Sequence, residues 1–276
     1  MKKLGFIGLG NMGRAICSGL IAGGAVAAED IYGYAPHAER LRAYARQTGI
    51  HACASAAEVV QACDTVLIAV KPYVIEGVLA ELRDGLKGKA LLSVAAGWPL
   101  ERYRPLLDVA LGYNCQRLTA LLDPTTRAQF IMPNTPALVG AGILLFEQES
   151  TLLPDERAEI MEKFKALGMV EELPSRLMGV GGSISGCGPA FCAMAIEALA
   201  DAGVKYGLPR VTAYRLASGV LAGTGELQLK TGDHPAAIKD GVCSPAGSTI
   251  RGVEALEKHG LRTALIEAVN ATLEVG

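Results

Sequence analysis

The sequence predicts an α/β chain: a parallel-sheet domain over residues 1–173, followed by an all-α domain over residues 174–276. Three observations predict it. Short, nearly continuous apolar runs alternate with helix-period stretches through the first half, as buried parallel strands joined by helices do. Gly8, Gly10 and Gly13 stand in G-x-G-x-x-G spacing between the first apolar run and the first helical stretch. Past Pro174 the strand patterns stop, and long Ala- and Gly-rich helical stretches follow.

The opening segment "KKLGFIGLGNMGRAICSGLIAGG" is a short strand, then a helix carrying Ala15, Ile16, Leu20 and Ile21 on one face. In that context each glycine has a mechanical task. Gly8 makes the tight turn, Gly10 lets backbone approach a pyrophosphate, and Gly13 lets helix pack on strand. Asn11 and Met12 lie between them. This strand–glycine–helix context makes the spacing a dinucleotide-binding fingerprint and the domain Rossmann-type.

The second strand is "DIYGYA". An NAD enzyme usually ends this strand on a carboxylate that holds the ribose 2′-hydroxyl. Here the end is Tyr34, Ala35 and Pro36, with His37 and Arg40 just beyond, while Glu29 and Asp30 lie at the opposite end. A carboxylate would repel a 2′-phosphate, so its absence beside basic groups favours NADPH, with NADH as the other possibility. The alternative reading of His37 and Arg40 is a solvated helix start.

"DTVLIAV" (64–70) and "KALLSVAAG" (89–97) are the next strands. Their ends, Val70-Lys71-Pro72 and Ala95-Ala96-Gly97, are candidate cofactor contacts, because ligands of doubly wound sheets bind beyond the carboxyl ends of strands. Lys71 on residue type alone is a surface lysine. Two R-x-x-x-L-L-D segments follow: Arg102, Leu106, Leu107, Asp108, then Arg117, Leu121, Leu122, Asp123. Their separation is about four helical turns, but Pro105 argues against one continuous helix. "MPNTPALVG" is turn-rich around Asn134, "LPDERAEIMEKFKALG" is an amphipathic helix, and "MVEELP" is a last strand.

In the second domain "GGSISGCGPAFCAMAIEALADAGVKYGLPR" is a Gly-rich opening followed by a long helix, with Pro189 in its first turn and Gly207 and Pro209 ending it. Glu197 and Asp201 share one face of that helix. "VTAYRLASGVLAGTGELQLKTG" is another helix, rich in small residues. Such faces imply burial against a partner subunit. "CSPAGSTI" then opens a helix bearing Ile250, Val253 and Leu256. The ordinary explanation is an N-cap at Ser248 or Thr249; the alternative is a seat for an anion on free N–H groups.

Composition narrows the class. The 276 residues carry 26 Lys+Arg against 28 Asp+Glu, so neither nucleic acid nor an anionic membrane is an expected partner. No apolar run reaches the roughly 18–20 residues of a membrane span, and glycines interrupt any secretory leader in "MKKLGFIGLG". The seven cysteines (17, 53, 63, 115, 187, 192, 243) form no C-x-x-C pair and no metal-ligand spacing with the four histidines. Reduced thiols in a cytoplasm, and no metal, are expected.

Together, "GFIGLGNMGRAI", "VKP", "SVAAG", "MPNTPALVG", "SGCGPAF", "IEALADAGVKYGLPR" and "HPAAIKDGVCSPAGSTIRGVEALE" resemble the pyrroline-5-carboxylate reductase family nearly end to end. The resemblance implies reduction of 1-pyrroline-5-carboxylate to L-proline, the last step of proline biosynthesis, by hydride from NADPH or NADH. It implies a helical domain that forms a homodimer, with a higher homo-oligomer as an extension. It also implies that Ser244, Gly247, Ser248 and Thr249 seat the substrate carboxylate, with the Thr249 hydroxyl on the ring nitrogen as the catalytic contact. Ala95, Gly97 and Asn134 would line the nicotinamide side, and Glu197 would lie near the substrate. Three positions depart from the family pattern: Cys187 in "SGCGPA", Ala246 in "SPAG", and Phe130 where an arginine is usual.

Two other readings stand beside it. A β-hydroxyacid dehydrogenase also starts "IGLGxMG", but its lysine four residues past the second-domain G-x-G is Cys192 here. A non-catalytic NADP(H)-binding regulator of reductase-like fold is the other, motivated by Phe130 and Ala246.

Overall fold

The computed structural model describes residues 2–95 and 115–273, in two compact units, one reaching to Gly186 and one running from Cys187. The division falls beyond the expected boundary at 173/174, because the helix that follows Pro174 packs Met178 into the core of the first unit.

The first unit begins with β1 (Leu4–Ile7), α1 (Asn11–Ala22), β2 (Ile31–Tyr34), α2 (Ala38–Thr48), β3 (His51–Ala52), α3 (Ala56–Ala62), β4 (Thr65–Ile68), α4 (Ile75–Leu82) and β5 (Ala90–Ser93). It continues with α5 (Cys115–Leu121), β6 (Arg127–Pro133), β7 (Gly142–Glu147), α6 (Pro154–Phe164), β8 (Gly168–Leu173) and α7 (Ser175–Gly182). The sheet order is β3-β2-β1-β4-β5-β6-β7-β8. Side chains alternate across it, which is why its strands had to be apolar throughout. Leu4, Phe6, Leu67 and Leu92 join one core with Ile16 and Leu20 of α1. Ile7, Val66, Ile68 and Leu91 join the other with Val59, Val60, Ile75 and Leu79 of α3 and α4.

From β3 to β6 the sheet is parallel, as expected. β6 and β7 pair antiparallel, and β8 then lies parallel to β7. Only a short 3₁₀ turn (Thr135–Val139) joins β6 to β7, too little chain for a parallel crossover. The polar residues that disguise β6 are paired: the buried Gln129 amide donates to the Glu147 carbonyl at 2.8 Å, and the half-buried Arg127 makes two bonds to Glu156. The first R-x-x-x-L-L-D copy lies outside the described residues. In the second, Leu122 is buried just past α5.

The Gly-rich opening of the second domain is itself helical. α7 runs through a π turn (Ser183–Cys187) into α8 (Gly188–Lys205), one 31-residue helical run from Ser175. By length and composition this run could cross a membrane, against the expectation from the sequence. Gly, Ser and Pro interrupt the apolar residues along the chain, yet the average over the helix remains high.

The second unit adds α9 (Arg210–Thr231), α10 (Pro235–Gly241), α11 (Ser248–Lys258) and α12 (Leu261–Leu273). Its buried apolar centre consists of Ala200, Ala213 and Ala217, packed by Ile196 and Val204. Met194, Val211, Leu216, Val220 and Leu229 are all more than half exposed.

Between α10 and α11 the Gly247 N–H donates to the Ser244 carbonyl at 3.0 Å, closing a turn over Pro245 and Ala246. Proline fixes a negative φ at the second position. Ala246 has φ 59°, the one positive value on a non-glycine among the described residues. This is a type II turn, whose third position favours glycine. A left-handed alanine costs about 1–2 kcal/mol, and glycine returns roughly half of that as unfolded-state entropy. Ala246→Gly is therefore expected to stabilise the chain by about 0.5–1 kcal/mol, measured as a higher denaturation midpoint. A lower midpoint would contradict the strain.

Candidate functional site

The chain carries two candidate sites, one in each unit. In the first unit the strand order turns outward on both sides of the β1–β4 pair, so a crevice opens beyond their carboxyl ends. Gly8 leaves β1 at φ 97°, and a Cβ there would meet the Ala69 carbonyl oxygen at 2.7 Å. The Gly8 N–H donates to the Tyr34 carbonyl at 2.9 Å, tying the end of β1 to that of β2. Gly10 caps α1 with no side-chain bond, and a Cβ there would meet nothing within 4 Å. A Cβ on Gly13 would collide with the Gly8 carbonyl. Asn11 is exposed and Met12 half-buried at the opening of α1.

Other expected residues gather at neighbouring strand ends. Val70 is half-buried past β4, Lys71 is exposed, and Pro72 opens a 3₁₀ turn. Ala95 is buried past β5, and Gly97 lies outside the described residues. Asn134 is buried, with its amide donating to the Ser185 carbonyl at 2.9 Å and its oxygen accepting from the Ile143 N–H at 2.8 Å. Its first role is thus to pin the β6–β7 turn to the π turn.

At the end of β2 a cavity of about 270 Å³ is walled by Tyr34, Ala35 and Pro36, by Ala38, Leu41 and Arg42 of α2, and by residues 52–54. His37 and Arg40 are exposed and do not line it; His37 stands at the start of α2 without capping it. Arg42 is not among the residues expected here from the sequence; it lies one helical turn beyond Ala38. Burial, then Glu58, raises the Cys53 thiol. Nearby, Arg14 lies over the Tyr44 ring at 5.0 Å, and its Nε is buried with no partner among the described residues.

The second site is the start of α11. The helix opens at Gly247, not at Ser248 or Thr249, and has no side-chain cap. Ser248 and Thr249 are its first two residues and are exposed, as is Ser244. A Cβ on Gly247 would collide with Ser244 Oγ, so glycine is what lets the Ser244 hydroxyl stand beside the helix start. With no side-chain acceptor, the first-turn N–H groups face outward as a ready anion site. Glu197 is exposed midway along α8.

Of the departures, Phe130 is fully buried in the core of the first unit and cannot touch a ligand. Cys187 ends the π turn, half-buried. Among the described residues no three His, Cys, Asp or Glu side chains are placed to hold a metal ion.

Residues 175–276 match the family model for pyrroline-5-carboxylate reductase dimerisation, and residues 3–97 match that for NADP oxidoreductase, coenzyme F420-dependent. A pyrroline-5-carboxylate reductase of Treponema pallidum is 44% identical over 271 residues, covering 98% of both chains. That of Escherichia coli is 40% identical, covering 99% of this chain and 96% of its own. The crystal structure of Plasmodium falciparum pyrroline carboxylate reductase with NADP bound superposes with a TM-score of 0.83 at 30% identity, covering 99% of this chain and 95% of the other.

Proposed function

Because the chain belongs to the pyrroline-5-carboxylate reductase family, we infer that it reduces 1-pyrroline-5-carboxylate to L-proline, the closing step of proline biosynthesis. It is an NAD(P)H-dependent oxidoreductase. The observation that carries the assignment of its site is the uncapped start of α11, where free N–H groups and the Thr249 hydroxyl stand together behind the Ser244–Gly247 turn.

The residues of the first unit fit a dinucleotide. Open space at Gly10 is a cradle that a Cβ would fill, the Gly8 turn brings β1 and β4 ends together, and the partnerless Arg14 Nε adds positive charge. Gly8, Gly10, Asn11, Met12 and Gly13 would hold the pyrophosphate at the α1 start. Ala35, Pro36, His37 and Arg40 would flank the adenosine, and Val70, Lys71, Pro72, Ala95, Gly97 and Asn134 the rest. When bound, NADPH supplies the hydride.

The substrate is an anion at its carboxylate. The N–H groups of Ser248 and Thr249, with the hydroxyls of Ser244 and Ser248, would hold that carboxylate, and the dipole of α11 favours its charge. The Thr249 hydroxyl would bond the ring nitrogen and fix which face of the imine carbon is presented. No strong acid is needed, because a protonated imine is already electrophilic; the catalysis is positioning. Glu197 would border the substrate.

The chain assembles with copies of itself through its dimerisation domain. The proposed form is a homodimer joined by α8 to α12. Three buried alanines do not make a core for five helices, and a second copy would cover their exposed Leu, Val and Met side chains. The same partner accounts for the apolar surface of the 31-residue helical run without a membrane. Seven free cysteines suit a reducing cytoplasm.

The test is the loss of reduced-nicotinamide absorbance with 1-pyrroline-5-carboxylate, using NADPH and NADH in parallel. Faster turnover with NADPH and formation of L-proline are expected. Ala35→Asp places a carboxylate at the end of β2 and is expected to reverse the NADPH preference by about tenfold or more. An unchanged ratio would remove the strand-end argument.

A further inference from the structure

We propose that Arg42 selects NADPH over NADH by binding the 2′-phosphate of the adenosine half in the cavity at the end of β2. The proposal rests on the reading of NADPH as the preferred cofactor, and it assigns the phosphate contact to a residue outside the β2–α2 turn.

The cavity measures about 270 Å³. That is below the roughly 300–1,000 Å³ of pockets that take a complete drug-sized ligand, so it suits one nucleoside rather than a whole dinucleotide. Ala35, Pro36, Leu41 and Tyr34 give it walls that accept a flat base. Arg42 is the one charged side chain among its lining residues, and no carboxylate lines it. Among the described residues Arg42 has no hydrogen-bond or ion-pair partner, so its guanidinium is free for a ligand. The nearby carboxylate of Glu58 is already engaged, accepting from the Ala54 N–H at 2.8 Å.

Helix geometry separates Arg42 from Arg40. At about 100° per residue, Ala38, Leu41 and Arg42 share one face of α2, whereas Arg40 lies well round the helix from Ala38. The Arg40 backbone, for its part, accepts a bond from Arg14 Nη2 at 3.4 Å. A guanidinium presents a rigid fork of donors that matches phosphate oxygens, and a ribose hydroxyl offers it far less.

The test uses calorimetric titration of the full chain with 2′,5′-ADP and with 5′-AMP, which differ at the phosphate in question. Wild type is expected to bind 2′,5′-ADP at least about tenfold tighter than 5′-AMP. Arg42→Ala should abolish that difference while leaving 5′-AMP affinity within about twofold and the melting temperature unchanged. Arg42→Lys should keep part of it, and Arg40→Ala, whatever it does to the affinity for either nucleotide, should keep the ratio between them. If Arg42→Ala retains the preference, the proposal is overturned; if Arg40→Ala alone loses it, the phosphate sits at the β2–α2 turn and the NADPH reading survives without Arg42. A wild type that does not distinguish the two nucleotides overturns the NADPH reading and this proposal together.

Discussion

Thr249→Ala is expected to lower kcat for 1-pyrroline-5-carboxylate by roughly 10²-fold, with the dissociation constant for NADPH unchanged within about twofold. Thr249 is the second residue of α11, is exposed, and caps nothing. Removing its hydroxyl therefore costs no native bond, and alanine is the better helix former. What is lost is the one side-chain contact proposed for the ring nitrogen, so an imine held by its carboxylate alone can turn. The loss belongs in kcat more than in KM, since the carboxylate contacts remain. Thr249→Ser, which keeps the hydroxyl, should recover most of the rate. Stopped-flow reduction under single-turnover conditions separates this from slow product release; a wild-type rate in the alanine variant would remove Thr249 from the mechanism.

Gly10 and Gly13 are expected to fail in opposite ways. Gly13→Ala puts a methyl group onto the Gly8 carbonyl, a backbone atom at the end of β1, and a neighbouring Ala69 Cβ lies 3.3 Å away. Neither can retreat without breaking the β1–α1 turn, so a loss on the order of 4 kcal/mol or more, and poor folding, are expected. Gly10→Ala meets nothing within 4 Å, and the residue has φ −76°. Its stability should change by less than about 1 kcal/mol, while NADPH binding weakens at least tenfold because the pyrophosphate can no longer approach the backbone. Thermal melts read against fluorescence titrations of NADPH distinguish the two. A Gly10→Ala protein that binds NADPH normally would place the pyrophosphate elsewhere.

Much of the first unit was legible because burial on both sides left its strands little choice but to be apolar. "LGFI", "TVLI" and "ALLS" announce themselves, and the glycines between strand and helix announce the turn. β6 was hidden because Arg127 and Gln129 look like surface residues, whereas one pairs with Glu156 and the other satisfies a buried carbonyl. The reversal at β7 follows from a connection too short to cross over, a fact of length rather than of residue type. The Gly-rich opening of the long second-domain helix is itself helical, with Ser183 and Ser185 buried in it. At the sites, the residues of the α11 start were readable as a motif, and the structure adds that Gly247 opens the helix and that Ala246 carries the left-handed angle. Arg42 stands at no strand end and lines its cavity from the next turn of α2, a placement that follows from the fold rather than from the strand-end pattern.

The most direct measurement of the carboxylate seat compares kcat/KM for 1-pyrroline-5-carboxylate with that for 1-pyrroline, the same imine without the carboxylate, under saturating NADPH. A helix start that holds the anion predicts a preference of roughly 10²-fold or more for the carboxylated ring, the worth of two charge-assisted hydrogen bonds. Equal values for the two imines would contradict it, and would leave the start of α11 as an ordinary helix end.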